Sequence, residues 1–161
     1  MVPEKVLAAV RTGPERTEFR EFDMPKIADD SALLKVEVAG ICGTDVKFYS
    51  KPPINDPVIM GHENIGIIDK AGKTFTQRRG LKEGDRVFVE HYVGCITCEH
   101  CPIGDYRLCM ATDWRKNANA IRFGDPPMTR APRLWGCCAH DIYLPSYRVV
   151  HHVLDGLCPA P

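Results

Sequence analysis

Four cysteines crowd into fifteen consecutive positions and offer the clearest chemistry in the sequence. Cys95, Cys98, Cys101 and Cys109 are spaced C-x2-C-x2-C-x7-C. Two-residue gaps turn the chain so that successive thiolates converge, and four sulfurs at about 2.3 Å complete a closed tetrahedral zinc site. Because a closed site has no open position, the spacing predicts a structural zinc that holds together a loop lobe at about residues 91–112.

An iron–sulfur cluster and disulfides are the alternatives for these four thiols. The bacterial ferredoxin run has three residues before its last Cys and a Pro after it, whereas here the last gap is seven residues and Met110 follows. The apolar run at residues 6–10 is too short for an export signal, so the expected compartment is the cytoplasm, where thiols stay reduced. Spacing and compartment favour structural zinc, and the other two interpretations stay open.

A second group of candidate metal ligands lies nearer the N-terminus. AGICGTDVKFYS places Cys42 just after a predicted strand, and MGHENIG places His62 and Glu63 just before another. If those strands are neighbours, the Cys and the His can share a metal ion. Asp45 could support the imidazole of His62, Glu63 could act as an auxiliary carboxylate, and Thr44 could pass a proton through its hydroxyl. A catalytic zinc would still need a third ligand, and packing without a metal is the alternative.

The remaining cysteines and the histidines near the lobe are expected to have no metal role. Cys137, Cys138 and Cys158 are predicted to be small apolar side chains packed in or near a core, which is the common role of a free cysteine. His91 and His100 flank the four-cysteine motif. They are predicted to be solvated loop side chains.

Short β-like runs rich in Val, Ile and Phe are the elements that must position these residues. Gly, Pro and Asp separate the runs, and short helices are predicted at residues 44–50 and around 102–110. We expect residues 111–133 to form a long surface excursion, and Arg78 and Arg79 to lie in a solvated turn. The pattern favours a mostly β fold, barrel-like or folded over. The predicted strands are residues 6–11, 17–22, 33–38, 65–69, 86–90, 142–144 and 148–151.

Composition narrows the class of protein. The chain has 161 residues and 21 basic against 21 acidic side chains, so its formal net charge is zero. This size predicts one domain, and the neutral balance offers no basic field for nucleic acid or an anionic membrane. The sequence has no run of the ~20 apolar residues that span a bilayer. We therefore expect neither a nucleic-acid partner nor a membrane partner.

Taken together, the motifs resemble the zinc-dependent alcohol dehydrogenases of the medium-chain dehydrogenase/reductase superfamily, specifically their N-terminal GroES-like catalytic domain. The family patterns G-x-C-G-[ST]-D, G-H-E-x-x-G, G-D-R-V and the four-cysteine lobe occur in family order as GICGTD, GHENIG, GDRV and residues 95–109. The resemblance spans nearly all of residues 1–161 and implies a partly open β-barrel with a structural zinc lobe. It also implies that Cys42 and His62 bind a catalytic zinc beside Glu63, that Thr44 handles the substrate proton, and that Asp45 supports the site.

The chemistry that this resemblance implies is hydride transfer between a small alcohol or polyol and NAD or NADP, with zinc as the Lewis acid. Relatives follow this domain with a Rossmann domain that carries a Gly-rich fingerprint, and no G-x-G-x-x-G occurs in these 161 residues. The expectation is a truncated chain that binds zinc but does not turn over unless a partner chain supplies a Rossmann domain. The alternatives are a non-enzymatic GroES-like zinc module, a decayed gene product, or one half of a split dehydrogenase.

Two departures from the family pattern bear on the predicted catalytic site. The third zinc ligand of relatives lies beyond the linker-like DGLCPAP, so Cys158, Glu63, a water or a residue of another chain could fill that place. Lys47 stands where many relatives have a His at the outer end of a proton relay. The sequence therefore leaves the third ligand and the relay undetermined.

Overall fold

Eight strands and four short helices form in the residues that the computed structural model describes, which are 5–52, 57–113, 117, 120–145 and 150–153. The strands are β1 (Lys5–Gly13), β2 (Arg16–Asp23), β3 (Ala32–Gly40), β4 (Val58–Ile59), β5 (Glu63–Ala71), β6 (Arg86–Val89), β7 (Asp141–Leu144) and β8 (Val150–His152). The helices are α1 (Gly43–Tyr49), α2 (Lys73–Arg79) and two 3₁₀ turns at Tyr106–Leu108 and Met110–Thr112. No helix within these ranges has the length and apolar character needed to cross a membrane.

The strands form two antiparallel sheets that do not close into one barrel. The smaller has the order β2-β1-β4 and the larger the order β7-β3-β5-β6-β8. In β1, Val6, Ala8 and Val10 are buried, while Lys5 before them and Leu7 between them are exposed. This is the period-2 pattern of a strand with one covered face. This architecture confirms the predicted mostly β, partly open GroES-like fold.

Two hydrophobic clusters fill the space behind the sheets. The first lies under the larger sheet and contains Leu34, Ile68, Phe75, Val87, Phe123, Trp135 and Ile142 among others. The second lies against β1 and contains Val6, Ala8, Val10, Ile59, Met128, Leu134 and Ala139. Both clusters take side chains from the segment after the four-cysteine lobe, so that segment is part of the packed domain.

The predicted surface excursion at residues 111–133 is therefore wrong for its buried members. Phe123 is fully buried in the first cluster, and Met128 is 8% exposed in the second. Isolated bridges join Tyr92 to Arg122 and Val58 to Pro127. Isolated apolar residues pack this segment against the core without any periodic pattern, which is why its sequence resembles that of a loop.

The predicted turn at Arg78 and Arg79 is also wrong, because these residues form the last turn of α2, although Arg78 is exposed as predicted. Gly72 precedes the helix without a side-chain cap, and Gly80 ends it with φ at +65°. Phe75 is 2% exposed and packs into the first cluster, while the two arginines favour the negative end of the helix dipole. Phe75 is the buried residue of this helix. One buried apolar residue in seven gives no amphipathic pattern, so the sequence alone does not predict the helix.

The other predicted elements lie where the sequence placed them. The first six predicted strands match β1, β2, β3, β5, β6 and β7 in that order. The helix predicted at residues 44–50 matches α1. The helix expected around 102–110 is a pair of 3₁₀ turns. Residues 148 and 149 of the last predicted strand lie outside the described residues, and β8 begins at Val150.

Candidate metal centres

The pairing of β3 with β5 brings Cys42 and His62 together. In this antiparallel pair Gly40, the last residue of β3, lies opposite Glu63, the first residue of β5. Cys42 follows Gly40 by two residues and His62 immediately precedes Glu63. The two side chains therefore meet at one end of the larger sheet, with Cys42 Sγ 3.3 Å from His62 Nε2. The predicted condition that the two strands be neighbours is confirmed.

A capping box at the start of α1 holds Cys42 in place. The Cys42 N–H donates to Asp45 Oδ2 at 2.9 Å, and Cys42 Sγ accepts from the Thr44 N–H at 3.2 Å. This reciprocal arrangement satisfies helix N-terminal donors that have no intrahelical partner. Asp45 therefore fixes the backbone of Cys42, and the N–H of Thr44 fixes the position of its sulfur.

The donor set of Cys42, His62 and Glu63 fits a zinc ion. The three ligand atoms all lie within 4.8 Å of one another. Tetrahedral zinc with one sulfur and one nitrogen ligand requires a separation of about 3.6 Å between them, close to the 3.3 Å found. A Cβ on Gly40 would lie 2.9 Å from Glu63 Oε2, so the missing side chain at Gly40 leaves room for the carboxylate.

The ring of His62 is held from one face by His91. The two imidazole centroids are 4.1 Å apart and the rings are 16° from parallel. Asp45 Oδ1 lies 3.8 Å from His62 Nδ1, which is beyond hydrogen-bond distance. The prediction that His91 is a solvated loop side chain is wrong, because β6 delivers it onto the His62 ring. His100, by contrast, lies in the lobe near Glu99, with 31% of its side chain exposed.

Asn64 holds the backbone that carries His62 and was missed in the sequence. Its side-chain amide donates to the carbonyl of His62 at 3.2 Å and to that of Val89 at 3.4 Å, and the residue is 7% exposed. It thus joins the start of β5 to the end of β6. A polar residue one position into a buried strand is the signal that could have found it.

A cavity of about 590 Å³ opens beside His62. This volume is within the range of small-molecule sites. Thr44, His62 and His91 line it. Polar side chains contribute part of the wall: Tyr92, Asn117, Arg122, Asp125 and Arg130. Apolar side chains contribute the rest, among them Phe48, Val58, Met60 and Pro127. Arg122 forms an ion pair with Asp125 and lies over the Tyr92 ring.

The four cysteines of the lobe also converge. Their sulfur atoms all lie within 4.8 Å of one another, and Cys98 Sγ is 3.5 Å from Cys101 Sγ. A zinc tetrahedron with 2.3 Å bonds has edges of about 3.8 Å between its sulfurs. Cys101 is 4% exposed and Cys109 is fully buried, so this donor set fits a closed zinc site with no place for a substrate.

Comparison with known proteins identifies the fold. A family model described as the alcohol dehydrogenase GroES-like domain matches residues 28–154. The chain belongs to this family. The chain is 37% identical over 155 residues to a protein from Mycobacterium tuberculosis assigned as an alcohol dehydrogenase, and the match covers 96% of this chain but 41% of that protein. It is 38% identical over 108 residues to a sorbitol dehydrogenase from Bombyx mori, covering 64% of this chain and 30% of that protein.

Solved structures agree with this assignment. An alcohol dehydrogenase from Thermus sp. ATN1 superposes with a TM-score of 0.74 at 27% identity, over 95% of this chain and 41% of that one. A protein from Sinorhizobium meliloti 1021, assigned as a zinc-binding dehydrogenase and bound to NADP, gives a TM-score of 0.71 at 25% identity, over 98% and 41%. The GroES-like domain thus spans about two fifths of the length of these structures.

The thiols of this GroES-like domain differ in acidity. Hydrogen bonds from Thr97 and from the N–H of Cys98 lower the pKa of Cys95 to about 6. Burial raises the pKa of Cys101 to about 12, and the neighbouring Cys98 thiol adds to this. In the metal-free lobe, one sulfur is therefore ready to bind a cation at neutral pH while another stays protonated until a metal displaces its proton.

The adjacent pair Cys137 and Cys138 packs as the sequence predicted. Cys137 is 1% exposed in the first cluster, Cys138 packs against the second, and burial raises the pKa of Cys137 to about 12. Both sulfurs lie against Gly61, which has φ at +89°. Cys158 lies outside the described residues. Neither cysteine of the pair belongs to the clusters of three or more metal-binding side chains found in the described part of the GroES-like domain.

Proposed function

We propose that residues 1–161 are the metal-binding and substrate-binding domain of a zinc-dependent alcohol or polyol dehydrogenase whose nicotinamide cofactor is bound by sequence outside these residues. The observation that carries the proposal is the convergence of Cys42, His62 and Glu63, of which His62 lines a cavity of about 590 Å³. Membership of the GroES-like family supports the same reaction class.

Two zinc ions have distinct roles in this proposal. Cys42, His62 and Glu63 would hold the catalytic ion, and Cys95, Cys98, Cys101 and Cys109 the structural one. A thiolate with an imidazole suits zinc better than magnesium or calcium. When bound at the first set, zinc supplies Lewis-acid polarisation that makes a substrate hydroxyl more acidic.

The domain's own side chains orient the substrate and hold its proton. Thr44 lines the same cavity as His62, which supports a role in which its hydroxyl accepts a proton from a substrate hydroxyl as it passes one on. Asp45 holds the backbone of Cys42 through the capping box. Asp45 is thus a positioning residue, whereas Thr44 contacts the substrate.

The lining of the cavity favours a substrate with several hydroxyl groups over a simple alkyl alcohol. Arg122 and Asp125 offer a donor and an acceptor side by side, and Tyr92 offers a ring face. The hydroxyl groups of a polyol can form additional hydrogen bonds with such side chains, which an alkyl chain cannot do. Sorbitol dehydrogenases from Bombyx mori and Bacillus subtilis are each 38% identical to the chain over the matched part, which supports this class.

The cofactor, NAD or NADP, would come from a Rossmann domain outside these residues. No G-x-G-x-x-G motif occurs in the 161 residues. Ile41 is 77% exposed and Val46 is 65% exposed, and both lie beside Cys42. Large apolar side chains that are exposed together are typical of a contact surface. The surface formed by Ile41 and Val46 borders the site at which a nicotinamide ring would have to reach the substrate.

The proposal is tested by substrate binding to the cobalt-substituted domain. The visible absorption of Co²⁺ changes when its ligands change, whereas Zn²⁺ has no visible absorption. Adding sorbitol should alter the visible absorption of the ion at Cys42 and His62, and ethanol should do so more weakly. The His62→Ala variant should lose the response while the absorption of the four-cysteine site stays unchanged. If no alcohol alters the spectrum of a domain that holds two ions per chain, the non-enzymatic zinc module is the better account.

A further inference from the structure

We propose that His91 is a positioning residue for the metal site: its ring fixes the plane of the His62 imidazole so that Nε2 faces Cys42 Sγ. The proposal rests on the proposed metal-binding function of Cys42 and His62. It adds a residue that neither the motifs nor the expected ligand set contains.

The stack replaces a hydrogen bond that metal-binding histidines normally make. Such histidines usually donate their second ring N–H to a carboxylate or carbonyl, which fixes the orientation of the ring. At His62 the carboxylate of Asp45 lies 3.8 Å from Nδ1, and this is too long for a hydrogen bond. Within the described ranges, the His91 ring at 4.1 Å and 16° is the one ring contact that restrains the tilt of His62.

Strand register puts the two rings opposite each other. Ile65 pairs with Phe88 in the β5–β6 ladder. Continuing that register three residues beyond the pair places His62 directly across from His91. The amide of Asn64 reaches the carbonyl of Val89 at 3.4 Å, which keeps the two chains together past the end of the ladder.

His91 is itself anchored to the core. Its carbonyl accepts a hydrogen bond from the N–H of Phe123 at 3.1 Å, and Phe123 is fully buried. The other neighbour of the His91 ring is Tyr92, with centroids 4.6 Å apart. Tyr92 is in turn bridged to Arg122. A ring attached in this way can restrain His62, since both its backbone and its ring have fixed neighbours.

The test is the affinity of the Cys42–His62 site for Co²⁺ in three variants, followed by the visible absorption of the ion. His91→Ala removes the stack, and His91→Phe keeps a flat ring without nitrogen atoms. His151→Ala is the matched control, because His151 stacks on Phe88 at 4.6 Å and 16° on the other side of β6, away from the site. The absorption of the four-cysteine site in each variant reports whether the domain has folded.

We expect His91→Ala to weaken Co²⁺ binding at Cys42 and His62 about 10–100-fold, the usual effect of losing an outer partner of a metal ligand, and to shift the absorption bands of that ion. His91→Phe and His151→Ala should match the unmodified chain within about twofold.

Two results would overturn the role of His91 while leaving the proposed function intact. One is unchanged affinity and bands in His91→Ala; the other is a loss in His91→Phe as large as that in His91→Ala. If the unmodified chain binds cobalt only at the four-cysteine site, both the role of His91 and the proposed catalytic site fail.

Discussion

Replacing Gly61 with Ala should destabilise the domain more than the backbone conformation alone requires. Gly61 immediately precedes His62 and has φ at +89°. A Cβ added there would lie 2.7 Å from Cys137 Sγ and 3.0 Å from Cys138 Sγ. The backbone conformation costs an L-residue about 1–3 kcal/mol, and forcing a methyl group into a filled space costs about 1–3 kcal/mol more. We expect a total loss of about 2–6 kcal/mol in the free energy of unfolding.

Gly84 provides a matched control, because it has φ at +90° and a Cβ added there would have no atom within 4 Å. Gly84→Ala should therefore lose only the conformational part, about 1–3 kcal/mol. The assay is urea unfolding of the unmodified chain and both variants at one fixed zinc concentration, since bound metal adds to apparent stability. The difference in the free energy of unfolding between the two variants measures the steric clash of the added methyl group with Cys137 and Cys138.

The closer contact can be examined separately with a double-mutant cycle. Cys137→Ala removes the sulfur at 2.7 Å, so it should recover part of the loss caused by Gly61→Ala. Equal destabilisation by Gly61→Ala and Gly84→Ala would refute the reasoning. So would strict additivity of Gly61→Ala and Cys137→Ala, within the ~0.5 kcal/mol typical of independent sites.

Three further predictions concern the two metal centres. Cys98→Ser should release the metal of the four-cysteine lobe and expose the lobe to proteases, because one thiolate of a closed site is lost; unchanged metal content and protease resistance would exclude a structural zinc there. Asp45→Ala should cost about 0.5–2 kcal/mol of stability, because the Cys42 N–H loses its acceptor; urea unfolding should show that Asp45→Asn, which keeps an oxygen acceptor, costs less. In the metal-free chain, iodoacetamide should modify Cys95 faster than Cys137, because the pKa of Cys95 is about 6 whereas Cys137 is buried and has a pKa of about 12. The rate at Cys95 should fall as the pH drops through that pKa, and equal labelling of the two thiols at pH 7, measured by peptide mapping, would contradict this order.

Features that depend on near neighbours in the chain could be predicted from the sequence. Residues 6–10 form an apolar run that Gly13 and Pro14 soon follow, so the local sequence alone locates β1. The spacing of Cys95, Cys98 and the other lobe cysteines similarly makes the thiolates converge whatever the rest of the fold does. The four-sulfur cluster predicted from spacing is the cluster that the structure contains.

The site at Cys42 could be predicted only in part, because it depends on pairing between distant strands. The pairing of β3 with β5 had to be assumed, and family motifs rather than physics suggested it. His91 was misjudged because its contact with His62 follows from the β5–β6 register, which no local pattern encodes. Phe75 and Phe123 show the same limit, since each is a single apolar residue whose burial turns an apparent turn or loop into packed structure.

In the function that we propose, one chain carries two separate metal sites, one closed and structural, the other open and catalytic. Counting zinc per folded chain by elemental analysis tests it most directly, using the unmodified chain and the variants Cys42→Ser and Cys98→Ser. Our account predicts two zinc ions in the unmodified chain and one in Cys42→Ser, with Cys98→Ser losing the lobe metal. One zinc in the unmodified chain, and the same count in Cys42→Ser, would contradict it.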